Sequence, residues 1–340
     1  MSSTPPIHSI PSGTRDVLPD ETRELRAITD ALRAVFERHG YGEVYTPALE
    51  YESVLARAEI EGSGPVHRVF DENGETLVLR SDMTVPVARM IATRYPTVEG
   101  PLRFCYFAHC YRGIRPQWHQ PRELLQAGIE LIGSPAPAGT AEALTVLCDA
   151  LDATGLKDYR VGLGDASLFG TLMERMRVAP DARAGLLEAL ARRDFVELAS
   201  LLAGTGLDAQ ATELLLTVPQ RRGGPEVLDA APGPSALGPA TDATAEATAG
   251  MRQVSELLPA SVAARVIFDL GLVRSIGYYT GAVFEVYDPT LGVPIGGGGR
   301  YDDLLASFGT PRPAVGFALD VERLHIALTG EERGTGALAR

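Results

Sequence analysis

Residues 125–132 read LQAGIELI, and this stretch carries most of the information about the fold. Because side chains alternate between the two faces of a strand, the pattern predicts a strand with two unlike faces. One face carries Gln126, Gly128, Glu130 and Ile132, and the other carries Leu125, Ala127, Ile129 and Leu131. The second face is apolar and is expected to pack on a core. The first places an amide and a carboxylate roughly 13 Å apart, at about 3.3 Å per residue, with a glycine between them that permits close approach to the backbone, so we expect it to form the floor of a ligand site.

Upstream of this strand the sequence alternates between helical and extended patterns. Apolar residues recur at helical spacing from Glu21 onward, and Gly40 supplies the stop signal. Residues 42–50 are typical of a strand that Pro47 interrupts, which places this proline at an edge, a bulge or an interface. A second strand is predicted over 75–80, and another helix follows it.

Strand patterns return toward the end of the chain. Residues 277–287 (GYYTGAVFEVY) are rich in β-branched and aromatic residues and predict a strand, and four consecutive glycines, 296–299, follow it. A further strand is predicted over 314–318. A last helix is then expected to run through Arg323.

The middle of the chain has a different composition. Between about residues 168 and 228 the segments are rich in Ala, Leu and Arg at helical spacing, and no strand is predicted there. A Pro/Gly/Ala/Thr stretch follows and is expected to behave as a linker or mobile loop before a helix at Met251. We predict a core formed by 1–167 and 251–330, a helical insertion and linker over 168–250, and a disordered tail over 331–340.

Charge and composition narrow the function classes. The chain has 340 residues, with 44 Asp and Glu against 31 Lys and Arg and a net charge of −13, which argues against a basic nucleic-acid module. No apolar run reaches the roughly 20 residues that cross a bilayer, and the N-terminus is polar and proline-rich, unlike a signal peptide. The three cysteines have neither disulfide nor metal spacing. We expect a cytoplasmic protein without membrane contact or a metal.

Standard catalytic and nucleotide signatures are missing from the sequence. There is no GxxxxGK[ST] loop, no strand–GxGxxG–helix arrangement and no GxSxG elbow, and the six histidines are scattered. P-loop and Rossmann enzymes are therefore excluded, and Ser/His/Asp or Cys/His catalysis has no support. We predict no catalytic residues and no cofactor.

A set of arginines remains near the predicted strands. They are Arg112, Arg115, Arg122 and Arg274. Because burying such charges without partners is costly, they either pair within a structural network or enclose a small zwitterion. An amino acid suits the second interpretation: arginine binds its carboxylate in bidentate fashion, Asp and Gln its ammonium, and Glu130 with a tyrosine a polar side chain.

Six sequence blocks follow one another along the chain. They are GTRDVLP (13–19), LRSDMT (79–84), YRGIRPQ with RELLQAGIELIG (111–133), VRSIGYYTGAVFE (273–285), GGGRYDDL (297–304) and AVGFALDVERL (314–324). In this order they resemble the catalytic core of the class II histidyl-tRNA synthetases over essentially the whole chain. The resemblance implies an α+β fold, with an antiparallel sheet of the class II aminoacyl-tRNA synthetase type flanked by helices and a small helical insertion.

Several positions depart from the synthetase pattern. Ile114 stands where that family has a glutamate that reads the adenine of ATP, and WHQP at 118–121 replaces a basic stretch that helps to hold the triphosphate. Gly277 stands where an aspartate is expected. The chain ends shortly after Arg323, so we expect no anticodon-binding domain and no tRNA partner. These departures imply that ATP handling is degraded.

The residues that hold histidine in that family are largely present. Asp82 stands where a glutamate meets the α-ammonium, and LRSDMT replaces LRPEGT. The residues implied to bind histidine are Asp82, Met83, Thr84, Arg112, Gln126, Glu130, Arg274, Tyr278 and Tyr279. A core that keeps amino-acid recognition but loses adenylation is similar to the regulatory subunits of ATP phosphoribosyltransferase, the first enzyme of histidine biosynthesis.

That resemblance implies a non-catalytic subunit with defined partners. A short-form ATP phosphoribosyltransferase catalytic subunit would require it for activity, and L-histidine would act as its allosteric feedback effector. Pro47 stands at the position of the synthetase family's first motif and suggests a homodimer within a larger hetero-oligomer. One alternative is a truncated or divergent histidyl-tRNA synthetase that still forms histidyl-adenylate, and another is a synthetase-like core recruited by a different partner, such as a stress sensor.

Overall fold

The computed structural model describes residues 10–58, 65–113, 121–229, 239–273 and 277–338. The α-helices are α1 Pro19–Arg38, α2 Glu52–Arg57, α3 Thr84–Arg94, α4 Ala138–Thr154, α5 Ala166–Arg175, α6 Pro180–Ala191, α7 Phe195–Ala203, α8 Ala209–Thr217, α9 Pro239–Leu257, α10 Ala260–Ala263 and α11 Val321–Leu338. Short 3₁₀ turns lie at Val218–Gln220, Pro225–Leu228 and Leu304–Phe308. The strands are β1 Gly42–Glu43, β2 Leu49–Tyr51, β3 Arg68–Phe70, β4 Thr76–Leu79, β5 Leu102–Tyr111, β6 Glu123–Ile132, β7 Arg160–Asp165, β8 Arg222–Gly223, β9 Val266–Asp269, β10 Ala282–Tyr287, β11 Gly296–Arg300 and β12 Ala314–Asp320.

Two sheets organise the chain. Over the described ranges, nine strands form the larger sheet in the order β1-β5-β6-β12-β11-β10-β7-β9-β8, and three form a smaller sheet in the order β2-β4-β3. The β1–β5 and β7–β9 pairs are parallel, and the other neighbours in both sheets run antiparallel. A mainly antiparallel sheet flanked by helices is an α+β architecture, as predicted.

Strand β6 separates two hydrophobic clusters, which confirms the two unlike faces predicted for it. Ala127, Ile129 and Leu131 belong to the large core that α1, α4 and α11 cover. Ile132 belongs to a smaller cluster on the other side of the sheet. Each fully buried aliphatic side chain of this kind contributes about 1.5–3 kcal/mol relative to an exposed one. Gln126 and Glu130 are buried on the smaller side, where the polar face was expected.

The predicted strand over 42–50 is wrong as a single element. It is divided into β1, which joins the large sheet, and β2, which joins the small one. Between them the buried Arg80 guanidinium donates to Thr46 O at 2.7 Å and to Pro47 O at 3.3 Å. Because proline has no N–H to continue a ladder, the chain leaves one sheet at this point and enters the other.

The strand predicted over 277–287 begins only at Ala282. Tyr278 and Tyr279 lie in a turn before β10, and the turn is held by Thr280 N, which donates to Arg300 O at 2.8 Å. The β-branched and aromatic composition therefore marks the strand correctly but extends it too far. The Tyr278 ring packs between Tyr279 and Tyr301 on the site side of the sheet.

Two helices extend beyond their predicted bounds. Helix α9 begins at Pro239 and not at Met251, so part of the predicted linker is helical, and the remainder, 230–238, lies outside the described residues. Alanine favours helices, and Ala247 packs in the large core, which explains the longer helix. Helix α11 runs to Leu338 through the predicted disordered tail, because Glu331 accepts hydrogen bonds from Lys157 N and Asp158 N.

The segment between residues 168 and 228 is mainly helical, as predicted, although the short strand β8 lies within it and pairs with β9. Leu186, Leu198 and Leu215 of its helices belong to the same hydrophobic core as the large sheet. The division of the chain into core, insertion and tail remains a proposal. None of the helices in the described ranges is both long and apolar enough to cross a bilayer.

The four glycines 296–299 form most of β11 and allow it to lie very close to β12. A Cβ atom on Gly298 would lie 2.0 Å from Gly316 O, and one on Gly296 would lie 2.3 Å from Ala318 O. Real Cβ atoms do not approach backbone oxygens so closely. The glycine run is therefore required by packing in the sheet.

We expect Gly298→Ala to lower the free energy of unfolding by about 2–3 kcal/mol, because the added methyl group overpacks this contact. Gly292→Ala is the matched control, since no described atom lies within 4 Å of its Cβ position, and it should change stability by less than about 0.5 kcal/mol. Urea unfolding measures both variants. Equal stability of the two would contradict the close approach of β11 and β12.

Candidate effector-binding site

A cavity of about 250 Å³ opens on the side of the large sheet that faces the smaller hydrophobic cluster. Its floor is formed by β6, β11 and β12, and its walls by the start of α3 and the turn before β10. Seven of the nine residues implied by the resemblance line it: Asp82, Met83, Thr84, Arg112, Gln126, Tyr278 and Tyr279. Glu130 lies beneath it, and Arg274 lies outside the described residues.

The first residues of α3 bring Asp82 and Thr84 to the cavity. Asp82 lies just before the helix and its Oδ1 accepts from Val85 N at 3.1 Å, which fixes the carboxylate at the helix start. Burial raises the pKa of Asp82, while the hydrogen bond to Val85 and the charge of Arg112 act in the opposite direction. A ligand ammonium beside Asp82 would lower this pKa and stabilise the carboxylate.

Glu130 is a buried carboxyl group whose two oxygens are held from two sides. Thr84 Oγ1 donates to Oε1 at 2.8 Å, and Tyr301 OH donates to Oε2. Burial raises the pKa of Glu130 to about 8, although the hydrogen bonds from Tyr301 and Thr84 lower it. An N–H donor or a cation nearby would lower this pKa and favour the carboxylate.

Gly316 of β12 makes room for this carboxyl group. A Cβ atom at Gly316 would lie 1.9 Å from Glu130 Oε2 and 2.5 Å from Ile129 O. The two residues are register partners in neighbouring strands. The Glu130 side chain thus fits into the sheet only because its cross-strand neighbour has no side chain.

Gly128 permits close approach to the backbone, as the sequence suggested, but the group that approaches is the Tyr106 side chain and not a ligand. It pairs with Tyr106 of β5, and a Cβ atom at Gly128 would lie 2.5 Å from the Tyr106 hydroxyl oxygen and 2.2 Å from Phe317 O. Burial raises the pKa of Tyr106 well above its usual value, so the hydroxyl remains a donor. Tyr106 therefore forms part of the floor between Gln126 and Glu130.

An aromatic wall closes one side of the cavity. The ring centroids of Tyr278 and Tyr279 lie 5.0 Å apart, and those of Tyr278 and Tyr301 lie 5.7 Å apart in an edge-to-face arrangement. Burial raises the pKa of both Tyr278 and Tyr301 well above the usual value. The wall thus combines flat apolar surfaces with protonated hydroxyl groups.

Two arginines, Arg112 and Arg323, also line the cavity. Arg112 Nε donates to Ser81 O at 3.3 Å. Arg323, in the first turn of α11, is held by Asp320 Oδ2 at 3.2 Å and by Pro294 O at 2.7 Å. Of the other arginines considered from the sequence, Arg122 lies outside the cavity and bonds Ser12 O, whereas Arg115, like Arg274, falls outside the described residues.

These groups form a cavity with cationic, anionic and aromatic parts, which suits an amino acid with a polar side chain. Within the ranges that the structure describes, no cluster of three or more His, Cys, Asp or Glu residues is placed to hold a metal ion. Carboxylates, amides and hydroxyls are available to a ligand's donors, and Arg112 to its carboxylate.

Comparisons with known proteins identify the family. The family model described as histidyl-tRNA synthetase matches residues 13–324. A curated ATP phosphoribosyltransferase regulatory subunit from Symbiobacterium thermophilum is 42% identical, with 99% of this chain and 83% of the relative covered. Another, from Desulforamulus reducens, is 38% identical over 93% of this chain and 78% of the relative. This chain belongs to the ATP phosphoribosyltransferase regulatory subunit family.

A solved structure supports the same assignment. It is described as an ATP phosphoribosyltransferase regulatory subunit/histidyl-tRNA synthetase from Bacillus halodurans, is 32% identical, and superposes with a TM-score of 0.85 over 96% of this chain and 84% of that chain. The regulatory-subunit family and the histidyl-tRNA synthetase core therefore share this fold. The relatives' names agree with the expectation of a non-catalytic subunit of an enzyme complex.

Several cavity residues of this regulatory-subunit chain were missed from the sequence. They are Tyr106, Glu285, Tyr301, Asp320 and Arg323. Tyr301 and Arg323 stand in the quoted blocks GGGRYDDL and AVGFALDVERL, so the blocks themselves were a usable signal. Tyr106 had no such signal, because its contact depends on the cross-strand register of β5 and β6.

The raised pKa of Glu130 predicts a pH-dependent stability. The native chain holds this proton up to about pH 8, whereas the unfolded chain releases it near pH 4.5, so Glu130 makes the native state less stable as pH rises between these values. Relative to Glu130→Gln, the unaltered chain should lose up to about 1.4 kcal/mol per pH unit in this window. Urea unfolding of both proteins from pH 4 to 9 measures the difference, and parallel pH profiles would contradict it.

Proposed function

We propose that this chain is the regulatory subunit of an ATP phosphoribosyltransferase complex and that its cavity binds L-histidine as feedback effector. The main support for this proposal is the position of Glu130, whose buried carboxyl group is hydrogen-bonded by Thr84 and Tyr301 beneath a cavity of about 250 Å³. A protein gains little stability from burying an acid in this way, since desolvation is costly. Recognition of an effector explains the buried acid, because an N–H donor on the effector's side chain would hydrogen-bond to the Glu130 carboxyl group.

Histidine matches the three chemical parts of the cavity. Its ammonium suits the carboxylate of Asp82, its carboxylate suits the guanidinium of Arg112, and its imidazole N–H suits Glu130 beside the tyrosine wall. Selectivity would follow from polar groups that a wrong amino acid leaves unpaired. An aliphatic amino acid of similar size would bring no side-chain donor to Glu130.

The proposed regulation acts through contact with a short-form catalytic subunit. Histidine must bind the active and inhibited states of the complex with different affinity for its occupancy to alter activity. A coupling of about 1–3 kcal/mol corresponds to roughly 5- to 150-fold inhibition. The relatives' names, which call them regulatory subunits, support a partner of this kind.

Calorimetry of the isolated chain tests the site. We expect Glu130→Ala to weaken histidine binding by at least tenfold, about 1.4 kcal/mol, because the ring then loses its buried partner. Glu72→Ala is the control: Glu72 is exposed in the turn between β3 and β4 and does not line the cavity. An equal affinity of the two variants for histidine would contradict the assignment of the pocket.

A second candidate function is the formation of histidyl-adenylate. It is favoured by Asp320 and Arg323, which line the same cavity but are not among the residues proposed to bind histidine. Histidine-dependent ATP–pyrophosphate exchange separates the two functions. Measurable exchange by the isolated chain would favour the synthetase activity, and its absence together with histidine binding would favour the regulatory one.

We also propose that the chain forms a homodimer through the region around Pro47, as the resemblance implies. Tyr45 is 84% exposed and Tyr51 is 52% exposed, and both line a cavity of about 500 Å³ beside this proline. Tyr51, Leu77 and Val69 are register neighbours across the small sheet and form an apolar row. A second copy that covers this row would remove exposed apolar surface from water.

We expect Tyr51→Asp to convert the dimer to monomers, because a buried unpaired charge would oppose association. Val196→Asp is the control, since Val196 of α7 is 83% exposed and lies on a different element. Sedimentation velocity measures the oligomeric state. A chain that is monomeric before substitution, or a Tyr51→Asp variant that stays dimeric, would exclude this interface.

A further inference from the structure

Residues 10–18 form an N-terminal segment that contains the GTRD sequence and contributes no residue to the cavity. The segment is nevertheless bonded to residues that contact or adjoin Arg112 and Arg323, the two arginines that line the cavity. On one side, Arg122 N donates to Gly13 O at 2.7 Å and Arg122 Nε donates to Ser12 O at 2.6 Å. Arg122 O in turn accepts from Arg112 N at 2.8 Å. A single residue, Arg122, thus links the segment to Arg112 through hydrogen bonds.

The same segment reaches Arg323 through a pair of ion pairs. Arg15 NH1 lies 2.7 Å from Glu21 Oε1 in α1, and Arg15 NH2 lies 3.3 Å from Glu322 Oε1 in α11. Glu322 immediately precedes Arg323, and the backbone N–H groups of both residues donate to Asp320 Oδ1 at 3.1 Å. The Arg15 guanidinium therefore ties the first turn of α11 to α1.

These two connections link the N-terminal segment to Arg112 and Arg323, which form the arginine side of the cavity. Burial raises the pKa of Glu322, and the charge and hydrogen bond of Arg15 oppose that shift. Glu322 has a side chain only 24% exposed, so loss of Arg15 would leave a half-buried carboxylate without its main cation. We expect the first turn of α11 to shift so that this carboxylate reaches water, and Arg323 would shift with it.

We propose that Arg15 is a positioning residue, which holds the arginine side of the cavity in the geometry that binds an effector's carboxylate. The inference rests on the proposed function, since it concerns affinity for histidine. Arg15 does not touch the ligand. It acts through Glu322 on the first turn of α11, while Ser12 and Gly13 act through Arg122 on Arg112.

The test compares two ligands in the full chain, histidine and histidinol, in which an alcohol replaces the carboxylate. We expect Arg15→Gln to weaken histidine binding roughly three- to tenfold and to leave histidinol binding unchanged, because only histidine presents an anion to the arginines. Arg15→Lys keeps a positive charge beside Glu322 and should recover most of the histidine affinity. Arg23→Gln is the control, since its ion pair with Asp20 is exposed and involves no residue of α11.

A double-mutant cycle tests whether Arg15 acts on histidine binding through Glu322. Arg15→Gln and Glu322→Gln should each weaken histidine binding, and the double variant should be no weaker than the single ones, because both remove the same ion pair. Equal losses for histidine and histidinol, or additive losses in the double variant, would overturn the inference. Failure of the unaltered chain to bind histidine would instead overturn the proposed function, and this inference with it.

Discussion

The burial of the Glu130 carboxyl group in the large sheet is the constraint on which the site depends. A buried acid is tolerated only when its oxygens have partners, and here those partners come from Thr84 at the start of α3 and from Tyr301 after β11. Satisfying one group therefore joins three separate parts of the chain. The same requirement explains why Gly316 lies opposite, since any side chain there would collide with the carboxyl oxygen.

Glycines let the sheet serve as the floor of a cavity. Gly128 admits the Tyr106 ring, Gly316 admits Glu130, and Gly299 admits the Tyr279 ring. Each of these positions would be filled by a side chain in an ordinary strand and would leave less room above the sheet. The strands that look weakest by β-propensity thus form the part of the sheet that shapes the site.

Local patterns predicted the elements whose two faces differ in polarity. Period-two alternation correctly divided β6 between the core and the cavity, and the helical spacing from Glu21 with Gly40 at positive φ correctly marked α1. The blocks that carry the family resemblance placed most of the cavity residues. These features depend on neighbours in sequence, which is why they can be read without a structure.

Long-range contacts account for what could not be predicted. Arg80 draws the backbone at Thr46 and Pro47 away from the large sheet, so one predicted strand became two. Tyr106 enters the site because of the β5–β6 register. Glu331 of α11 accepts hydrogen bonds from the backbone of Lys157 and Asp158. None of these partners is close in sequence, so no local pattern reports them.

In the proposed function, this synthetase-like core keeps an amino-acid cavity in order to sense histidine for a catalytic partner. The most direct measurement is phosphoribosyl transfer by a short-form catalytic subunit reconstituted with this chain, titrated with histidine. We expect activity to require the chain, histidine to suppress that activity, and a complex that contains Glu130→Ala to stay active but resist histidine. Equal histidine inhibition of the unaltered and Glu130→Ala complexes would contradict the proposed function.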